Sequence, residues 1–178
     1  MEEFYVERFI EQKLREWKAH RSESVLEVTG CRQVGKTTTV LHFARENYAH
    51  VLYVNAMADD LTLLENADYN SVVGVVQAFF KKRECEFVND RSTVLIVDEV
   101  QESRAIYEKI RVFKTLKCDF IVTGSNLAKT KNYFQPAGDI YAVRMYPLSY
   151  EEYLNYYGAY AYYCNSTVEE ICGAKYDW

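Results

Sequence analysis

Short apolar runs alternate along this chain with stretches in which apolar residues recur every third or fourth position. The first pattern marks buried strands and the second amphipathic helices. From residue 4 to about 19, Phe9 or Ile10, then Leu14 and Trp17, share one helical face, with Glu11, Lys13, Arg15, Glu16 and Lys18 elsewhere. This helix is expected to pack on the sheet edge. Residues 25–29 predict a first strand, and 35–48 a helix whose buried side is Val40, Leu41, Phe43 and Ala44. Residues 51–54 form a continuous apolar run, as in a strand covered on both faces. Residues 59–68 suggest a short helix, 71–82 a valine-rich helix and 84–91 a loop. The clearest strand is 93–97, followed by a helix over 102–116 with Ile106, Ile110 and Phe113 on one side. A fourth strand at 120–122, a short helix at 127–134 and a fifth strand at 140–145 come next. Ser149 and Glu152 make a capping box for a last helix, from Tyr150 to about residue 157. Strands alternating with helices imply right-handed crossovers and a parallel α/β sheet.

Composition narrows the picture. The chain of 178 residues, 49% hydrophobic, suits one domain with a real core. A net charge of -5 is not the footprint of a dedicated nucleic-acid binder, and Lys81-Lys82-Arg83 reads as the solvated end of a helix. The five cysteines contain no C-x-x-C pair, which argues against a zinc ribbon or a disulfide framework. Charges recur through the first 20 residues, and no long apolar stretch follows, so neither a targeting segment nor a membrane span is expected and the cytoplasm is the default location.

Between the first strand and the next helix lies Gly30-Cys31-Arg32-Gln33-Val34-Gly35-Lys36-Thr37, then Thr38. It fits G-x-x-x-x-G-K-[ST], the phosphate-binding loop, in its required context of strand, glycine turn and helix. Its glycines let backbone approach a phosphate, and its amides can point inward at the positive end of the helix. Lys36 can reach the β- and γ-phosphates of a bound nucleotide, and the Thr37 hydroxyl can ligate Mg2+. Cys31 is either a small filler or an oxidation-sensitive thiol.

The third strand runs into Asp98-Glu99-Val100-Gln101, an apolar run ending in two acids. In an open α/β sheet ligands sit at the carboxyl ends of the strands. Asp98 can therefore hold Mg2+, and Glu99 can position and deprotonate an attacking water. The fourth strand ends in Thr123-Gly124-Ser125-Asn126. If it inserts between strands one and three, Ser125, Asn126 or Thr123 can report the γ-phosphate. Turn chemistry and a helix cap account for them equally well.

In order, the chain carries Gly-x-Arg-Gln-x-Gly-Lys-Thr-Thr, Asp-Glu-x-Gln, Thr-Gly-Ser and Tyr-Pro-Leu-Ser-Tyr-Glu-Glu-Tyr-Leu. Over about residues 4–157 it resembles the prokaryotic AAA-like P-loop ATP-binding proteins. The resemblance implies a three-layer α/β sandwich around a parallel five-stranded sheet of order 5-1-4-3-2, and ATP with Mg2+ rather than GTP. It also implies a further C-terminal domain. Residues 1–157 would then be the ATPase domain with its N-terminal helix. Residues 158–178 would be a tyrosine-rich tail that opens that missing domain. Such proteins often have Gly-Arg before the fifth strand, where this chain has Gly138-Asp139. If that arginine senses phosphate, this chain lacks it, and Arg144, Arg104 or Arg111 would have to substitute. Slow hydrolysis by the isolated chain follows as an expectation.

Tyr150, Tyr153, Tyr156, Tyr157, Tyr160, Tyr162 and Tyr163 crowd the end of the chain. Tyr150, Tyr153, Leu154 and Tyr157 share a helical face and read as a packing stripe. The others suit docking of the absent domain or of a second copy. The expected activity is Mg2+-dependent ATP hydrolysis that gates or drives an attached domain. A nucleotide-gated switch or a DNA-associated regulatory module with little intrinsic hydrolysis is the alternative, although the net charge does not favour a nucleic-acid partner. A small-molecule kinase fits less well, because no arginine-rich lid is evident. A GTPase would show Asn-Lys-x-Asp after the fourth strand, and none follows. The N-terminal helix around Arg8 is a candidate to contact adenine.

Overall fold

Successive side chains along the inner strands point into two different cores, which is why those strands read as unbroken apolar runs. The computed structural model describes residues 5–20, 24–125 and 139–156. Helix α1 (Ile10–Ala19) precedes β1 (Val25–Gly30), α2 (Lys36–Asn47), β2 (His50–Asn55), α3 (Thr62–Glu65), α4 (Val72–Lys81) and β3 (Thr93–Asp98). A 3-10 turn (Val100–Glu102), α5 (Arg104–Glu108), α6 (Ile110–Phe113), β4 (Asp119–Gly124), β5 (Ile140–Met145) and α7 (Tyr150–Tyr156) follow. The five strands form one parallel sheet of order β2-β3-β4-β1-β5, the expected 5-1-4-3-2 read from its other edge.

On one face Leu26, Val28, Val94, Ile96, Ile121, Val143 and Met145 meet Leu14 and Trp17 of α1 and Val40, Phe43 and Ala44 of α2. On the other, Val54, Leu95, Val97, Phe120 and Val122 meet α3 through α6. The sheet is thus the middle of three layers. β3 and β4 are buried throughout, whereas β2 is an edge strand and is only half covered. The apolar run at 51–54 therefore does not mean burial on both faces, and Tyr53 uses its partly open side for a polar contact described below.

Three local readings change. The first helix begins at Ile10, not at residue 4, and Phe9 is exposed. Residues 5–8 run outside the helix, and Arg8 is committed to long-range bonds instead. The helix expected over 102–116 divides into α5 and α6 at Lys109, whose ammonium donates to the carbonyls of Glu65 and Ala67. That tether draws the chain toward α3, yet Ile106, Ile110 and Phe113 still share the buried side. Tyr150 is exposed and leaves the packing stripe, while Glu152 and Leu154 are the buried residues of α7. The helix at 127–134, Asn126, Gly138, Tyr157 and the tail 158–178 lie outside the described residues.

The capping box forms as read. The Ser149 amide donates to Glu152 Oε2 at 2.8 Å, and the Glu152 amide donates to Ser149 Oγ at 3.1 Å. The other Glu152 oxygen accepts from Arg8 Nε at 3.1 Å and from the Phe9 amide at 2.8 Å. Burial alone would raise this carboxyl, but the Ser149 and Phe9 amides and Arg8 hold it below its ordinary value of 4.5. A carboxyl lowered in the folded state stabilises fully above its unfolded pKa and stops doing so as pH falls through the folded one. Glu152→Gln is therefore expected to melt well below wild type at pH 7, by on the order of 10 °C, because it leaves Arg8 buried without its charge. The difference should shrink as pH drops below the glutamate range, and melts at pH 7 and pH 3.5 read both numbers.

Candidate nucleotide-binding site

β1 and β3 end at the same edge of the sheet with β4 between them, so their terminal loops converge. At the end of β1 a Cβ on Gly30 would collide with the carbonyl oxygen of Met145, its partner in β5. Close approach to β5 therefore demands glycine at that position. Gln33 and Gly35 both have left-handed backbone, with φ of 62° and 93°, on either side of Val34. This alternation turns successive amides toward one side and makes an anion-binding nest at the start of α2. Cys31, Arg32, Gln33 and Thr38 are exposed, whereas Lys36 is buried and donates to the carbonyls of Gly30 at 3.2 Å and Cys31 at 2.8 Å.

Asp98 closes β3, buried, with hydroxyls gathered around its carboxylate. Thr37 Oγ1 donates to Oδ2 at 2.9 Å, Tyr53 OH donates to the same oxygen at 2.8 Å, and Thr123 Oγ1 donates to Oδ1. Burial and the Asp98 carboxylate push the Tyr53 hydroxyl up to about 12, so it stays a donor. Glu99 follows with left-handed backbone, φ 52°, its amide reaching Asp98 Oδ1 at 3.1 Å. A non-glycine residue there is strained by about 1 kcal/mol or more, and the strain aims the two neighbouring carboxylates in different directions. Glu99 Oε2 accepts from Ser125 Oγ at 2.6 Å and Gln101 Nε2 at 2.5 Å. Burial would raise this carboxyl, but the Ser125 and Gln101 bonds and the Lys36 charge keep it below its ordinary value.

Lys36, Thr37, Asp98, Glu99 and Ser125 thus occupy one locus at the carboxyl edge of the sheet. One participant escaped the sequence and another takes a different part from the one expected. Tyr53 looked like one more apolar strand residue, and only the β2–β3 pairing, Asn55 opposite Asp98, brings its hydroxyl to the carboxylate. Arg8 donates to the carbonyl of Val34 at 2.9 Å and of Tyr146 at 2.9 Å, so it braces the loop rather than standing free for a base.

Asp139 lies before Ile140, which pairs with Val25 at the start of β1, so it sits at the opposite edge of the sheet from Gly30. There it bonds Arg111 Nε and Lys114 Nζ, each at 2.6 Å. In place of Gly-Arg the chain has a local ion-pair arrangement at that end of the sheet. Arg111 is held at that far edge, and Arg104 pairs with Glu108 on the surface. Among the described residues no helix is long and apolar enough to cross a membrane.

Residues 22–154 match the sequence model of a family described as AAA domain. No curated protein matches the chain. Among solved structures, the Walker-type ATPase Paby2304 of Pyrococcus abyssi superposes with a TM-score of 0.50 at 18% identity, over 94% of this chain and 61% of that one. A structure of Drosophila ORC bound to DNA gives 0.50 at 13% identity, over 79% of this chain and 94% of that one. At these identities the likeness is one of fold. The chain spans 61% of the length of the Pyrococcus protein.

Proposed function

This chain belongs to the AAA domain family, and on that premise we propose that it is an Mg2+-dependent ATPase module whose nucleotide cycle gates or drives an attached or partner domain. The observation that carries the reading is the buried Asp98 carboxylate, reached by the Thr37 hydroxyl of the phosphate loop 61 positions away in sequence. Oxygen donors converging on a carboxylate are the ligand chemistry of a hard dication. Thr37 and Asp98 would hold Mg2+, which when bound neutralises phosphate charge. Gly30, Cys31, Arg32, Gln33, Val34, Gly35 and Thr38 would cradle the phosphates through the loop backbone. Lys36 would leave its two carbonyls for the β- and γ-phosphates. Glu99 would take the proton of a water attacking the γ-phosphorus as the bond to ADP breaks. Ser125 would place Glu99 and bond the γ-phosphate.

The test is phosphate release from ATP by the purified chain. Turnover that needs Mg2+ and stops in EDTA supports the reading, while tight ATP binding without any release refutes the ATPase assignment. A second reading, a nucleotide-gated switch, has one observation behind it: Glu99 is already engaged by Ser125 and Gln101. It predicts an ATP-dependent change of oligomeric state with negligible hydrolysis, and sedimentation with and without ATP reads this directly.

Tyr53 supplies a further expectation. Tyr53→Phe removes one charged hydrogen bond from Asp98, worth about 1.5–3 kcal/mol. The Mg2+ concentration for half-maximal hydrolysis should rise about tenfold, with little change in the rate at saturating Mg2+. An unchanged Mg2+ requirement would mean that the hydroxyl does not hold the carboxylate for the ion.

A further inference from the structure

Behind the phosphate loop, α1 and α2 bring a second set of polar groups together. Glu11, His42 and Glu46 offer ligand atoms that all lie within 4.8 Å of one another. Glu11 is fully buried, and its Oε2 is 3.6 Å from His42 Nδ1. His42 Nε2 is 3.8 Å from Glu46 Oε1, one helical turn further along α2. The Tyr5 hydroxyl and the Arg8 amide occupy Glu11 Oε1 at 2.5 and 3.0 Å. Among the described residues, Oε2 has one hydrogen-bond donor, Arg15 at 3.3 Å, and that side chain is about half exposed.

His42 Nδ1 is buried and has no hydrogen-bond partner among the described residues. A buried ring nitrogen facing a buried carboxylate is unsatisfied as it stands, since the 3.6 Å gap is too long for a hydrogen bond. The Tyr5 ring stacks on the imidazole with centroids 3.7 Å apart and fixes its plane.

We propose that Glu11, His42 and Glu46 form a binding site for a divalent transition cation, Zn2+ by its donor set, that joins α1 to the phosphate-loop helix. An imidazole nitrogen and carboxylate oxygens are donors that zinc accepts, and with water in the fourth position these three residues can complete a tetrahedron. Two ligands at about 2.0–2.1 Å in tetrahedral geometry lie about 3.3 Å apart, so the pair Nδ1 and Oε2 needs to close by only a few tenths of an ångström. Arg15 can swing into solvent as the ion takes Oε2. Glu46, half exposed, is free to turn toward the same ion. α2 begins at Lys36, and Arg8, three residues before Glu11, holds Val34. A cation here would fasten the N-terminal arm to the loop from behind, without entering the nucleotide site.

The experiment uses the full chain, stripped of metal, without nucleotide. Zn2+ is added in calorimetry and thermal melts, and Co2+ in absorption. Wild type should bind one equivalent and melt higher, with cobalt d–d bands that lack thiolate charge transfer. His42→Ala should lose affinity by more than ~10-fold and Glu46→Gln by less, while Cys31→Ser, Cys85→Ser and Asp98→Asn should bind as wild type. In EDTA His42→Ala should melt near wild type, and if it does not fold, His42→Gln serves in its place. No stabilisation of wild type by Zn2+, equal binding by the His42 variants, or a thiolate band would overturn the proposal.

Discussion

Replacing Glu99 by glutamine is expected to lower kcat for ATP hydrolysis by on the order of 10²–10⁴, with ATP affinity nearly unchanged. Glutamine has the same shape and still accepts from Ser125, so the local geometry survives the change. What it cannot do is take a proton. The strained backbone at Glu99, φ 52°, and its amide bond to Asp98 hold the residue in place whichever group it carries. The pH dependence checks the same assignment from another side. Because Ser125, Gln101 and Lys36 keep the carboxyl below its ordinary value of 4.5, the base stays ionised down through mildly acidic solution. A base works only when deprotonated, so the rate should fall as pH drops through that lowered pKa and not before. Equal rates in Glu99→Gln and wild type would remove Glu99 from the chemistry.

The second large effect is expected at Lys36. Lys36→Ala should reduce kcat/KM by on the order of 10²–10³, because a positioned cation is lost from where phosphate charge develops. The loss should show first in binding, as weaker retention of a fluorescent ATP analogue. The fold has little at stake, since the ammonium bonds only the loop's own carbonyls, Gly30 and Cys31. Lys36→Met, which keeps the aliphatic stem, separates the charge from the packing. Normal nucleotide retention by both variants would mean that the nest of amides is sufficient and the lysine is not a phosphate ligand.

Strand identity was legible because burial on two faces leaves a periodic apolar record, and the runs at Val94 to Val97 and Phe120 to Val122 could hardly be anything else. The phosphate loop was legible because the backbone there tolerates little but glycine: Gly30 has no space for a Cβ, and Gly35 is left-handed. The sheet order came from the family resemblance, since pairing leaves no local trace in sequence. For the same reason Tyr53 was invisible. Its role depends on which strand lies beside β2, and nothing within a few residues of it says so. Arg8 was misread because its partners, Val34, Tyr146 and Glu152, are up to 144 positions away. The division of α5 from α6 also has a distant cause, the carbonyls that Lys109 reaches. The meaning of Asp139 could not be judged until its end of the sheet was known.

The residues that match the family, 22–154, leave out α1, which packs against the sheet. A fragment cut at residue 22 would lose Leu14 and Trp17 and so strip part of the cover from the face of the sheet that holds Leu26, Val28 and Met145, leaving α2 alone upon it. It would also lose Arg8, the strut between the phosphate loop and the start of α7. Such a fragment would keep every motif residue and still be expected to aggregate, or to bind nucleotide weakly through a loop with nothing behind it. For this protein, the boundary of homology is a poor place to cut.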